Sequence, residues 1–287
     1  MSDQIFLKRI LHFTITKVII GSAVIIGAVA LIESVGRSLI DKTQLSTDNK
    51  NVIIAVIESA LAVTCYVVLF KHYEERKIKE LSASTLLKNA FVGFFMGLIL
   101  QSVFILVIYL AGGYTVTQVN PVSFLLTAFA YALTAGFVAE ILLRGILFRL
   151  TEEKTGTIPA LIIFTLLFAI LHANSNGATA VSVCATAIQA GLLLSATYVY
   201  SRSLWWPIFL HFSWDFAEPG IYGGINPGIS TGKTLLNSKI SGSYLLTGGE
   251  AGPGNSIQSA ILCLLISLLL LRMAERKGNF IRSRWKT

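Results

Sequence analysis

Eight apolar runs recur along this 287-residue chain, and they constrain its fold more than any other feature. The clearest run, residues 91–110, contains no charged side chain. A helix needs about 20 apolar residues to cross a bilayer core about 30 Å thick. The other runs are 10–32, 52–70, 122–148, 158–173, 180–198, 204–216 and 257–271. The sequence therefore predicts an all-α membrane protein, a bundle of about eight transmembrane helices, with the last two runs short.

Composition supports lipid as the partner of this chain. Hydrophobic residues make up 54%, charged residues only 13%, and the mean hydropathy is +0.71, which excludes an ordinary soluble domain. The first run continues to spanning length, so we interpret it as a retained helix and not as a cleaved signal peptide.

The basic residues that give the chain its net charge of +8 are distributed unevenly along it. Lys and Arg concentrate before the first run, in the connections after the second, fourth and sixth runs, and in the tail, whereas the intervening connections carry few. Basic residues mark cytoplasmic loops. The pattern predicts that both termini are cytoplasmic, and it indicates membrane topology with no nucleic-acid partner.

Ionisable side chains inside apolar runs are the first functional candidates, because the membrane makes them costly. Glu140 and Arg144 lie one helical turn apart, with the acid before the base, which favours an ion pair on one helix face. Taken alone, such a pair is as consistent with a purely structural link as with function.

Histidines follow in two later runs. His172 comes one turn after Phe168, and His211 comes one turn before Asp215, a spacing that suits a carboxylate orienting an imidazole or two ligands of one metal. Each motif taken alone also fits a hydrogen-bonded structural role. At about 1.5 Å per residue, however, Glu140, His172 and His211 lie at overlapping depths, which predicts a common water-activating site.

Three strings in this order resemble the CAAX-protease and bacteriocin-processing intramembrane proteases, the CPBP or Abi family that includes the type II CAAX prenyl endopeptidases. The matching strings are AEILLRG around Glu140 and Arg144, Phe168 to His172, and the Trp-containing stretch that ends in His211 and Asp215. The late stretch LLTGGEAGPGNS is similar to a loop of bacterial members. The resemblance implies a multi-pass protein of a bacterial cell membrane that hydrolyses a peptide or protein substrate.

The resemblance also implies a division of the chain. Residues 1–70 form two N-terminal helices, residues 71–273 form the protease-like core, and residues 274–287 form a basic cytoplasmic tail. In the core, Glu140, His172, His211 and Asp215 are the predicted catalytic residues. Ala139, Arg144 and Phe168 are predicted to support the site or the substrate.

Ala139 departs from the family motif, which has two adjacent glutamates before the arginine. Alignment on Arg144 places Glu140 on the second glutamate and Ala139 on the first, the usual base that activates water. Three interpretations follow: a natural member that has lost activity, an engineered chain whose base was removed, or a base role taken over by Glu140. The last is the least favoured, because adjacent helical residues point about 100° apart.

Asp215 replaces the family's asparagine, so it must be protonated, orient His211 or bind a metal. Two histidines and a carboxylate suffice for a catalytic zinc site, and equally for a metal-free site. We expect no tightly bound divalent metal, because Ala139 removes one carboxylate. The predicted function is an intramembrane endopeptidase, either active or impaired by Ala139 in place of the first glutamate. The alternative is an inactive homologue that acts in bacteriocin immunity or as a membrane scaffold.

Overall fold

The computed structural model describes residues 13–175, 177–224 and 232–283. Its main elements, in chain order, are α1 (Thr14–Ile40), α2 (Thr47–Tyr73), α3 (Ala83–Leu110), β1 (Tyr114–Val119), α4 (Val122–Thr155), α5 (Thr157–His172), α6 (Ala180–Ser201), α7 (Trp205–Phe216), β2 (Leu236–Ile240) and α8 (Ile257–Arg276). A helical segment coincides with each predicted run. The all-α membrane bundle is therefore confirmed, and six of the helices in the described ranges are long and apolar enough to span a membrane.

The two shorter helices, α5 and α7, differ from the other six in length and not in apolar character. In α7 most side chains are buried by neighbouring helices, among them Trp205, Ile208 and Leu210. Glycines allow this close packing. A Cβ on Gly93 of α3 would lie 2.5 Å from the Trp206 carbonyl oxygen, and one on Gly136 of α4 would lie 2.9 Å from the Phe212 nitrogen. Small residues thus hold α7 between α3 and α4.

Burial also separates central from peripheral helices. Half of the apolar window of α6 is buried inside the bundle, whereas only 11% of the corresponding window of α1 is buried. The large apolar side chains that remain exposed on α1, such as Ile15, Ile19 and Ile26, are those that lipid would cover. The most buried helices, α6 and α7, are therefore the ones that can form the inner wall of a site.

The Gly-rich connection between α7 and α8, described over residues 217–224 and 232–256, contains regular structure. β2 pairs with β1 in antiparallel register from Tyr114↔Ile240 to Val119↔Leu236. The Gly-rich stretch is anchored at Glu218, whose carboxylate accepts hydrogen bonds from the Gly254 backbone N–H at 2.8 Å and from Gln101 Nε2 at 3.0 Å. These contacts fix the start of α8 against the bundle.

A charged network, the basic-end network, joins α1, α2 and α4 at the end opposite the strands. Lys17, Arg76 and Arg149 approach the Glu74 carboxylate at 2.7 to 3.1 Å, and Arg76 and Tyr66 bind Glu80 at 2.6 to 3.0 Å. Burial acts to raise the pKa of each glutamate, but the cations and hydrogen bonds outweigh it and lower both pKa values below the ordinary 4.5. Both carboxylates are therefore charged and paired near neutral pH.

The C-terminal segment after α8 folds back onto this same end. The Ile281 carbonyl accepts a hydrogen bond from the Thr157 backbone N–H at 3.1 Å, and Asn279 Nδ2 donates to the Tyr200 carbonyl at 2.8 Å. Part of the predicted tail is thus packed against α5 and α6. Residues 284–287 lie outside the described residues.

Candidate active site

Helix α4 widens where the candidate motif lies. Residues Ala135–Ala139 and Ile141–Phe148 form π-type turns on either side of Glu140, and Ala187–Leu193 of α6 does the same. Such turns are rare in soluble and membrane helices and often occur at functional sites. They re-aim the side chains of α4 relative to an ordinary α-helix.

Glu140 and Arg144 form the predicted ion pair. Arg144 Nη1 lies 2.9 Å from Glu140 Oε1, and both side chains have no exposed surface. Arg144 also donates to the Ala190 carbonyl of α6, and its guanidinium lies 5.2 Å from the centre of the Phe168 ring. The pair therefore links α4 to α5 and α6. These contacts offset the cost of removing the two charges from water.

Glu140 contacts His211 as well as Arg144. Its Oε1 lies 2.8 Å from His211 Nδ1, whereas its Oε2 is buried and has no hydrogen-bond partner among the described residues. An ionised carboxylate only accepts hydrogen bonds, so the facing Nδ1 of His211 carries a hydrogen. Glu140 thus fixes the orientation of the His211 ring from behind.

Asp215 lies on the other side of the His211 ring. Its Oδ2 is 3.4 Å from His211 Nε2, one helical turn along α7, as the sequence spacing predicts. With a carboxylate near each nitrogen, both nitrogens of the His211 ring have an acceptor. This arrangement suits an imidazole that donates hydrogen bonds.

His172 ends α5 and has a different environment. Its Nδ1 lies 3.0 Å from the Phe168 carbonyl oxygen, and its ring stacks on Phe168 at 6.0 Å between centres. A carbonyl only accepts, so Nδ1 carries a hydrogen, and a ring that holds this single hydrogen keeps a lone pair on Nε2. His172 is therefore the imidazole of this site that can accept a hydrogen.

These side chains surround one cavity of about 310 Å³. Residues from α4, α5, α6, α7 and the turn before α8 line it, among them Ala139, Phe168, His172, Gln189, His211, Asp215 and Asn255. Ala139, His172, His211 and Asp215, predicted to meet, thus share one space. Glu140 and Arg144 lie buried behind its wall. The roles assigned to these residues stay predictions.

Two polar residues in this cavity were missed by the sequence analysis. Asn255, on the Gly-rich stretch, accepts hydrogen bonds from Thr186 Oγ1 at 2.6 Å and Gln189 Nε2 at 2.8 Å. Gln189 is an amide within an apolar helix, and a polar side chain in a spanning helix is itself a signal. Asn255 carries no comparable signal, because only the docking of Glu218 on Gly254 brings it to the cavity.

Within the described ranges, no group of three or more His, Cys, Asp or Glu side chains is placed to hold a metal ion. His172 and His211 each direct Nδ1 at an acceptor, which is also how metal-ligating histidines are oriented. A catalytic zinc usually takes three protein ligands and keeps one open position.

The fold and the cavity define a class: a polytopic membrane bundle with a buried histidine and carboxylate site. Comparison with protein families assigns it more closely. Residues 121–217 match the family described as Type II CAAX prenyl endopeptidase Rce1-like, so the predicted CPBP relationship is confirmed. The matched segment contains Ala139, His172, His211 and Asp215, and it ends before Asn255. Searches of curated proteins and of solved structures gave no match.

Proposed function

We propose that this chain is an intramembrane endopeptidase of the CAAX-protease type that hydrolyses a peptide bond in or at the membrane. One observation carries the proposal. In the segment that matches an endopeptidase family, His172 and His211 line one cavity that four helices enclose, with a buried ion pair behind its wall. The family supplies the reaction class, and the two rings suit different tasks in it.

His172 is assigned to the attacking water. Its free Nε2 accepts a hydrogen from water, whose oxygen attacks the carbonyl carbon of the scissile bond. The proton passes through His172 to the leaving nitrogen as the C–N bond breaks, so protons balance. Phe168 keeps the ring in place by stacking and by its carbonyl contact.

His211 is assigned to the oxyanion of the tetrahedral intermediate. Nδ1 is held by Glu140, and Nε2 faces the cavity side next to Asp215. A donor oriented before reaction stabilises developing negative charge strongly in a site that excludes water. Glu140 thus acts through His211, and Arg144 keeps Glu140 charged and in place.

Ala139 favours a second candidate, an inactive homologue in bacteriocin immunity or scaffolding. A methyl group at this position of the cavity wall cannot accept a proton. The discriminating experiment reconstitutes the purified chain in liposomes with membrane-proximal peptides, including prenylated and bacteriocin-leader sequences. We expect slow cleavage that His211→Ala abolishes. Cleavage that survives His211→Ala would contradict the proposed site, and no cleavage of any peptide would favour the inactive homologue.

We further propose that both termini face the cytoplasm of a bacterial cell. The support is the concentration of Lys and Arg at the end of the bundle that carries the basic-end network. Single cysteines at Lys77 and at Lys239, both exposed side chains, would test this. We expect an impermeant reagent to label the Lys239→Cys chain in intact cells and to spare Lys77→Cys. The reverse pattern would refute it.

A further inference from the structure

A second cavity, of about 570 Å³, lies beside the candidate site between α1, α2 and α4. Tyr131, Ala135 and Ala139 line both cavities. Two of these three residues carry only a methyl group, so little side-chain volume separates the two spaces there. Ala139 therefore stands at a gap between the candidate site and the second cavity.

Glu58 is the carboxylate of this second cavity. Its side chain is only 5% exposed, although it lies in the apolar helix α2, and its Oε2 accepts a hydrogen bond from Thr134 Oγ1 at 2.9 Å. A carboxylate in a spanning segment is costly and for that reason a functional candidate. Neither the proposed mechanism nor the family motifs use it.

Glu58 has no cation of its own in the described part of the chain. No Lys or Arg nitrogen lies within 4 Å of its carboxylate. Arg37, which lines the same cavity, donates two hydrogen bonds to Glu33 at 2.6 and 3.0 Å and one to Asn51 at 3.0 Å. Glu33 of α1 is a further hydrogen-bonding neighbour of the Glu58 carboxylate. Because a carboxylate can accept several hydrogen bonds, Glu58 retains acceptor capacity beyond these contacts.

The contacts between α2 and α4 fix the depth of Glu58 relative to Ala139. The two helices run parallel and meet at Glu58 with Thr134 and at Tyr66 with the Gly145 carbonyl, 3.0 Å away. Ala139 lies between these two contacts, so it is level with a position about one turn, or about 6 Å, further along α2 than Glu58. A cavity of this volume has room for water, which occupies about 30 Å³ per molecule in the liquid.

We propose that Glu58 is a positioning residue for the hydrolysis described above. Through a bridging water in the gap at Ala139, it accepts the hydrogen bond of the attacking water that a glutamate at position 139 would accept directly. Proton transfer remains with His172. The inference rests on the proposed function and gives a physical reason why a chain with Ala139 still cleaves.

The test compares Glu58→Gln in two backgrounds, the natural chain and Ala139→Glu. Glutamine has the same shape and can still accept the Thr134 hydrogen bond, so the fold is expected to tolerate it. With the membrane peptide that the natural chain cleaves best, we expect Glu58→Gln to lower kcat about tenfold or more, with KM changed less than about twofold. In the Ala139→Glu background we expect a loss below about twofold, because the direct carboxylate makes the bridge redundant. Glu58→Asp keeps the charge, so its kcat should lie between those of the natural chain and of Glu58→Gln.

Glu275→Gln, the same chemical change at an exposed position of α8, is the matched control and should leave kcat unchanged. An equal loss from Glu58→Gln in both backgrounds would indicate a structural role and overturn the proposal. So would a natural chain that is inactive while Ala139→Glu cleaves, although the proposed endopeptidase function would then stand. If neither background cleaves any peptide of the panel, the proposed function fails and this inference fails with it.

Discussion

The basic-end network and the candidate active site are both built from buried charges, but they satisfy those charges differently. In the network, Glu74 has three cationic partners and Glu80 is held by Arg76 and Tyr66. At the site, one oxygen of the buried Glu140 has no partner among the described residues, and a cavity adjoins its neighbours. Carboxylates with several cationic partners stabilise the packing of helices, whereas open acceptors and donors beside a cavity are available for chemistry.

Restoring the missing carboxylate should give the largest effect. Ala139→Glu adds a general base at the cavity wall, and general-base catalysis contributes about 10² to 10⁴ in rate, so we expect hydrolysis to rise by up to that factor. The measurement is kcat/KM on the peptide panel in liposomes. Because the added group acts only with the existing imidazoles, His172→Ala or His211→Ala should cancel the gain.

His72→Ala is the control for this experiment, since His72 is exposed at the end of α2 and lies outside the motifs. It should leave the gain intact. If the natural chain already cleaves rapidly and Ala139→Glu changes nothing, our alignment of the motif is wrong. Glu140 would then be the base, and the assignment of this task to His172 would have to be abandoned.

Breaking the buried pair at the site should give the next largest effect. Arg144→Met or Glu140→Gln alone removes one partner from a fully buried ion pair, which typically costs about 3 to 5 kcal/mol of unfolding free energy. The double variant Glu140→Leu with Arg144→Met should cost less, because it leaves no uncompensated charge. Thermal unfolding of the detergent-purified variants measures this, and additive losses would refute the coupling.

Sequence reasoning found this pair and the shared cavity because both depend on local spacing. The apolar runs fix which segments become helices, and Glu140 with Arg144 or His211 with Asp215 meet within one turn. Similar depth along antiparallel helices was enough to bring His172 to the same cavity. These features survive an error of a few residues in helix boundaries.

Contacts between distant parts of the chain could not be predicted in this way. The pairing of β1 with β2 joins segments that are more than a hundred residues apart, and neither strand has a strong alternating pattern. Glu58 meets Thr134 only because α2 packs beside α4. The basic loop residues were interpreted as a topology signal, whereas Arg76 and Arg149 also bind buried carboxylates. Which helices become neighbours depends on tertiary packing.

Acid should weaken the basic-end network. The loss of stability should lie between that for the buried Glu140–Arg144 pair and that for an exposed ion pair. Because the folded pKa of Glu80 lies below its ordinary 4.5, its ionised form adds stability above that pH, and the contribution is lost as pH falls through the folded pKa. We expect the unfolding temperature to fall as pH drops below about 4.5, and to fall less in Glu80→Gln. At neutral pH, Glu80→Gln should cost about 1 to 3 kcal/mol, the value of hydrogen bonds to a charged group.

Glu153→Gln provides the control for the acid experiment. Glu153 binds Arg149 at 2.8 Å, but its side chain is 42% exposed, so solvent replaces the lost contact. We expect its acid profile to match that of the natural chain. If Glu153→Gln and Glu80→Gln flatten the profile equally, burial in the network does not determine the contribution of its carboxylates.

The smallest effect is expected for Glu33 and Arg37 of α1, which repeat the spacing and order of Glu140 and Arg144. Arg37 Nε lies 2.6 Å from Glu33 Oε1, yet the two side chains are 34% and 52% exposed. Exposed pairs one turn apart contribute about 0.3 to 0.5 kcal/mol, since water competes and salt screens them.

A double-mutant cycle with Glu33→Gln and Arg37→Gln, measured by thermal unfolding at low and high salt, should give a coupling of that size that declines with salt. The coupling energy from the corresponding cycle at Glu140 and Arg144 should be several times larger and insensitive to salt. Similar couplings at the two pairs would mean that sequence spacing, and not burial by α5, α6 and α7, sets the strength of the pair at the candidate site.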